Sequence, residues 1–443
     1  MSWYMNVAQF ASDPFGAKRP RDQQGVDDDG MSLESPMNGH SFHPADGVPG
    51  AAGLPAFPRD GMQLGGPAWA PSAADRIYQA FDVSQPVDQP QDLRGRSKQV
   101  ARLLSGVIHR RNHGIVSGPR GSGKTSLVRV FGQYADREGI VVLYAACDGG
   151  TTFGELLRGY LEQIPPSSVD PDEVDLFDQR VLSFGLESSP HQATSIFAQI
   201  KYSQVVIVLD EFDRVHDPVL QSKVASLLKL ISDARLPVRF VLVGGNNAFI
   251  DVVRDHPSLM RHVTRVSTAP LAHEAVFELL DSCAERCGMH FTAEGKSLLD
   301  EVACGSPYHA RLFGMHAALA ALRRGDTEVS ETDVIEGLAE SFEEWSSLNT
   351  DDAATFRAIC SGARGDPQSF VDLARRIATS SEEEQLAGRA APRSEEVEAA
   401  FGSAIDRQAE PIAFRDATAP QYLIALHHLS RRLSREQKGT VRA

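Results

Sequence analysis

Eight residues constrain this 443-residue chain more than any others: GPRGSGKT, Gly118 to Thr125, sits between a strand-like segment, GIVSG, and a helix-like one, GKTSLVRVFGQYADREG. Gly118, Gly121 and Gly123 permit backbone conformations closed to bulkier residues, so successive N–H groups can turn inward around an anion. The positive end of the helix starting near Lys124 adds attraction, the Lys124 ammonium can reach phosphate oxygens, and the Thr125 hydroxyl can hold magnesium. The pattern in this context predicts a polyphosphate cradle built from Gly118, Pro119, Arg120, Gly121, Ser122, Gly123, Lys124, Thr125 and Ser126. A glycine-rich turn that matches by chance is the rival reading, and the flanking strand and helix weigh against it.

Around this loop the apolar pattern runs helix (SKQVARLLSGVIHR), strand (GIVSG), helix, strand (IVVLYAAC), helix (TTFGELLRGYLEQI), helix (HQATSIFAQIKYS), strand (QVVIVLDEFD), helix (VLQSKVASLLKLISDA) and strand (VRFVLVGGNN). Strands alternating with helices imply an α/β unit, a parallel sheet covered on both faces, over residues 76–270. The acidic, Pro-bearing PPSSVDPDEVDLFDQ within it reads as a surface insertion. Beyond Pro270 strand signals stop, and residues 271–345 read as a helical lid. Residues 349–436 read as helices around one strand-like segment, Pro411 to Phe414, which suggests a winged-helix-like domain. Residues 1–75 are rich in Gly, Pro, Asp and Ser without periodicity and read as a disordered tail.

Composition removes several classes. No apolar run approaches the roughly 18 residues of a membrane span, and the N-terminus has no basic region followed by an apolar stretch, so we expect a cytoplasmic protein without membrane contact. Five cysteines, Cys147, Cys283, Cys287, Cys304 and Cys360, are scattered and odd in number, which argues against a disulfide framework. Cys283 and Cys287 share a helix face but lack two further ligands at short spacing, so buried thiols are the better reading. A net charge of -15 weighs against indiscriminate coating of nucleic acid, while leaving a local basic patch open.

The strand VVIVLDEFD ends in Asp210 and Glu211, about eighty-five residues after the loop. Acids at a strand's carboxyl end face the ligand crevice of such a sheet. Asp210 is the candidate magnesium ligand, and Glu211 the group that orients or deprotonates the attacking water. The next strand ends at Asn246, whose amide can hydrogen-bond the γ-phosphate or that water; Asn247 competes for the role.

Together these segments resemble the AAA+ ATPases, and within them the origin-recognition and replication-initiator-like branch with its bacterial relatives, over roughly Asp92 to Leu338. GPRGSGKT matches the Walker A motif, Leu209 to Glu211 the Walker B motif, and Asn246 the sensor 1 position. DLRGRSKQVARLL is similar to the element that precedes the phosphate loop, with Leu93, Gly95 and Arg96 near the adenine. The resemblance implies ATP and Mg²⁺ as ligands, ATP hydrolysis, and an arginine finger reaching a neighbouring subunit, for which Arg261 is placed and Arg265 contends. A sensor 2 arginine usually follows a Gly-x-x-Arg pattern; here GSPYHARLFG puts Tyr308 at that place and Arg311 one turn later. The implied function is an ATP-driven switch, with DNA contacted through the C-terminal domain or a protein partner, and an ATP-dependent homo-oligomer. The alternatives are a signalling or scaffold ATPase whose C-terminal domain packs on its own core without DNA, and a transposition or helicase-loading accessory. Arg431, Arg432, Arg435, Lys438 and Arg442 form a basic C-terminal end that suits either phosphate contact or plain solvation.

Overall fold

Strands buried on both faces have no side left for polar residues, and the apolar runs of this chain become such strands. The computed structural model describes residues 71–245, 257–380, 394–406 and 412–440, with side chains of the last span described to Arg432. In chain order its first half contains α1 (Ala73–Ala80), α2 (Ser97–Leu104), β1 (His113–Ser117), α3 (Lys124–Arg137), β2 (Val141–Ala146), α4 (Phe153–Leu161), α5 (Val174–Ser183), α6 (Pro190–Phe197), β3 (Val205–Asp210), α7 (Pro218–Asp233), β4 (Val238–Gly244) and β5 (Val263–Ser267). The five strands form one parallel sheet in the order β2-β3-β4-β1-β5. Every residue of β1, β3 and β4 is buried.

The period of two along each strand divides the core. Val205, Ile207 and Leu209 of β3 point into one layer with Phe153, Leu157, Phe197 and Leu228 from α4, α6 and α7. Val206 and Val208 point into the other, against Leu103 of α2 and Leu127 and Phe131 of α3. Two readings of the sequence need correction. The acidic stretch after α4 is not only surface: it winds into α5, which sends Phe177 and Val181 into the first layer, while Val169 forms an isolated antiparallel bridge with Ile200. Acidic residues on the solvent face masked this short apolar face. The sheet also has a fifth strand: VTRVS was not read as one, because at the edge only Thr264 and Val266 are buried and Arg265 faces out.

The second half continues with α8 (His273–Cys287), β6 (His290–Phe291), α9 (Ala293–Ala303), α10 (Pro307–Arg324), β7 (Glu328–Val329), α11 (Glu331–Leu348), α12 (Thr350–Cys360), α13 (Pro367–Thr379), α14 (Glu395–Phe401), β8 (Ile405–Asp406), β9 (Ala413–Phe414) and α15 (Ala419–Thr440). Strand pairing thus persists beyond Pro270: the two-residue parallel pair β6–β7 was not read from the sequence, whereas β9 of the antiparallel pair β8–β9 falls within the strand-like segment Pro411 to Phe414. A pair as short as β6–β7 carries no periodicity to detect. One apolar core runs through all these helices and includes Ile77 and Phe81. The helix α1, capped by Ser72 and starting within the stretch read as tail, therefore packs with the helices of the second half rather than the sheet. Residues 1–70 of that tail lie outside the described residues. No described helix is long and apolar enough to cross a membrane. The five cysteines are free, and all but the half-buried Cys360 are buried.

Helices α10 and α11 approach closely at Gly337, where an added Cβ would stand 2.4 Å from the Ala317 nitrogen. Gly337→Ala is expected to destabilise the protein by about 1–3 kcal/mol through overpacking, measured by urea unfolding. Gly159→Ala in α4, where nothing lies within 4 Å, is the contrasting control and should stabilise by roughly 0.5–1 kcal/mol.

Candidate nucleotide site

The carboxyl ends of β1 and β3 deliver the two motifs to one cleft of about 990 Å³, lined by all of Gly118 to Ser126 and by Asp210 and Glu211. The loop between β1 and α3 takes its shape from glycine: Gly121 has φ +78° and Gly123, the N-cap of α3, has φ +86°, both in the left-handed region. Lys124 lies across the loop and donates to the Gly118 and Pro119 carbonyls at 3.0 Å each. Burial lowers the Lys124 pKa, and the carboxylates of Asp213 and Asp210 oppose that shift. Ser122 is held by Thr268, Oγ to Oγ1 2.6 Å, and Ser126 Oγ accepts from the Val87 backbone nitrogen at 3.0 Å. These two hydroxyls therefore brace the loop and helix, while Arg120 stands exposed at the rim.

Asp210 is nearly fully buried, and its carboxylate is saturated with donors. Thr125 Oγ1 donates to Oδ2 at 2.8 Å, the Tyr144 hydroxyl donates to the same oxygen, and the Glu211 nitrogen donates to Oδ1 at 2.8 Å. Sequence reasoning missed Tyr144; its partner strand β3 places it there, with Tyr144 opposite Val208 and Ala146 opposite Asp210. Burial and the neighbouring Asp210 push the Tyr144 phenol up, so it stays a donor. The same causes raise the Cys147 thiol to about 12, which removes it as a nucleophile.

Glu211 stands just beyond the strand in a left-handed conformation, φ 53°, rare for a residue with a side chain. Its carboxylate is half exposed and pairs with Arg214 at 2.8 Å. Asp213, which sequence reasoning passed over, also lines the cleft.

The remaining walls come from distant segments. Val83, Val87, Leu93, Leu271 and Leu279 give the cleft an apolar part that suits a base. Arg96 is buried, donates to the Ser122 carbonyl at 3.1 Å, and burial lowers its pKa to about 10. From α10, Tyr308 and Arg311 both line the cleft, and Arg311 donates to the Asp82 carbonyl at 3.3 Å. Arg261 lies elsewhere, exposed on the 3₁₀ turn Pro257–His262, and is not part of the lining; Arg265 is on β5, at the sheet edge. Asn246 and its rival Asn247 lie outside the described residues.

Residues 92–242 match the family described as AAA ATPase domain. No curated protein matches the chain. Among solved structures, a Walker-type ATPase of Pyrococcus abyssi is similar at 17% identity, covering 78% of this chain and 99% of that one, with a TM-score of 0.45. The ORC2 protein of Aeropyrum pernix is similar at 15% identity over 80% of this chain and 98% of that one, TM-score 0.45. A Drosophila ORC chain, in a complex bound to DNA, is similar at 18% identity over 75% and 78% respectively, TM-score 0.45. The match to the AAA ATPase domain thus takes in the glycine loop, the acidic strand end, β1 to β3 and most of β4.

Proposed function

We propose that the chain binds ATP with Mg²⁺ in this cleft, hydrolyses it, and uses the nucleotide state as a switch for binding DNA or a protein partner. The observation that carries this reading is the 2.8 Å bond between Thr125 Oγ1 and Asp210 Oδ2, which puts the two candidate metal ligands together at the end of the phosphate loop. The donor set fits the ligands: backbone amides of a left-handed glycine loop and an ammonium for phosphate, a hydroxyl and a carboxylate for a hard cation. When bound, Mg²⁺ supplies charge compensation for phosphate oxygens. Lys124 would hold phosphate, Thr125 and Asp210 the metal, and Glu211 would take the proton of the attacking water or orient it. Arg311 and Tyr308 would bring the lid into contact with the nucleotide. Arg261 would act in a neighbouring copy's site within an ATP-dependent homo-oligomer.

Calorimetric titration with ATP and GTP, each with and without Mg²⁺, tests the reading; absence of heat for every nucleotide would remove it. Thr125→Ala is expected to raise the Mg²⁺ concentration for half-maximal turnover about tenfold or more, since a hydroxyl ligand and a hydrogen bond to Asp210 go together. A Mg²⁺ titration at saturating ATP measures it.

The coupled partner is the finer part of the proposal. We read α12 to α15 with the β8–β9 pair as winged-helix-like, and a domain of that kind would bind DNA, which a salt series of duplex binding tests, because phosphate contacts weaken as salt rises. One observation favours the scaffold alternative: Ala413 and Ala417 of this same region line the nucleotide cleft. Partner-stimulated turnover in an assembled state would instead mark a loading or transposition accessory.

A further inference from the structure

The cleft has a wall that no motif announces. Ala413, on β9, and Ala417, on the turn leading into α15, line it together with the phosphate loop, although nearly three hundred residues separate them in the chain. The lid holds this turn in position. Tyr308, in the first turn of α10, lies against the phosphate loop, where a Cβ added to Gly121 would stand 3.2 Å from Tyr308 Cβ. The Tyr308 ring and the Tyr422 ring of α15 both pack edge-on against His309, centroids 4.9 and 5.6 Å away, and the two phenols stand close enough to affect each other's titration. Tyr422 is buried and stacks on Trp345 of α11, ring centroids 4.7 Å apart, with Phe313 of α10 edge-on at 5.7 Å. Asp416, inside the turn, accepts from Trp345 Nε1 at 3.4 Å and from the Thr418 nitrogen at 2.9 Å, so one carboxylate ties the turn to α11 and braces the turn's own backbone just ahead of α15.

We propose that the turn from Ala413 to Thr418 is a wall of the nucleotide site, and that the C-terminal region must be seated through Tyr308 and Tyr422 for nucleotide to be retained. This rests on the reading of the cleft as a nucleotide site and adds the element that senses occupancy. Two alanines at the wall keep it small enough to stand against the ligand. Linkage makes the effect reciprocal: a partner that lifts the turn weakens nucleotide binding by the factor by which nucleotide resists that partner. The occupied and empty forms then differ in the surface that the C-terminal region presents.

The test uses the full chain and a fluorescent N-methylanthraniloyl-ADP with Mg²⁺, read by equilibrium titration and by stopped-flow chase. Ala417 is exposed, so charges placed there leave the core untouched. A charge beside a bound polyphosphate shifts its affinity in proportion to its sign and is screened by salt. Ala417→Glu is expected to weaken binding about tenfold and Ala417→Arg to strengthen it or leave it equal, the gap between them shrinking as NaCl is raised. Equal affinities for the two variants would overturn the wall. Tyr422→Phe keeps the ring stack and removes only the hydroxyl; it is expected to speed dissociation several-fold with the melting temperature unchanged. An unaltered dissociation rate would overturn the need for seating. The nucleotide reading itself fails separately, if wild type binds no more of the probe than Lys124→Ala does.

Discussion

Lys124→Ala is expected to abolish nucleotide binding in the micromolar range while the protein still folds. The ammonium is mostly withdrawn from water, next to the backbone cradle; losing a charged hydrogen bond to phosphate there costs on the order of 3 kcal/mol, about a hundredfold in affinity. Its own bonds to the Gly118 and Pro119 carbonyls are two loop contacts at the cleft rather than core packing, so the melting temperature should move by only a few degrees. Calorimetry with ATP and Mg²⁺ beside a thermal melt measures both. Wild-type affinity in this variant would show that the loop does not hold phosphate.

Glu211→Gln should separate binding from turnover. Glutamine keeps the size and hydrogen-bonding reach of the side chain but cannot take a proton, so hydrolysis is expected to fall by about a hundredfold to ten-thousandfold, while ATP affinity stays within a few-fold. The backbone at Glu211 adds weight to this assignment. A left-handed conformation at a residue with a side chain costs about 1 kcal/mol or more, and such strain gathers at functional positions. Single-turnover phosphate release is the measurement, and equal rates for wild type and variant would sink the catalytic role. The ion pair to Arg214 is half exposed and weak, so its loss in the glutamine variant is not expected to cancel the effect.

Much of the site was legible because its chemistry is local. A phosphate loop needs glycines, a lysine and a hydroxyl within eight consecutive residues, and the buried run Val205 to Leu209 ending in Asp210 marks an inner strand with an acid at its carboxyl end. Arg311 was also named from sequence, one turn away from the expected pattern, and the structure brings both it and Tyr308 to the cleft. Other features left weaker traces. β5 has only two buried residues, the apolar face of α5 is hidden among acids, and the two-residue pair β6–β7 is too short to alternate. Tyr144 gave no signal, since an aromatic residue on an edge strand looks the same whether or not its hydroxyl finds a carboxylate across the sheet.

The sequence by itself determined the glycine loop between strand and helix, the acids at the strand end and the alternation of strands and helices, because each depends on residues adjacent in the chain or on a simple period. Only the tertiary structure decided that α1 joins the core of the second-half helices, that Arg96 braces the loop, and that Ala413 and Ala417 reach the cleft. Those outcomes depend on which buried surfaces fit one another across hundreds of residues, and small or polar side chains carry no mark of the distant partner they will meet.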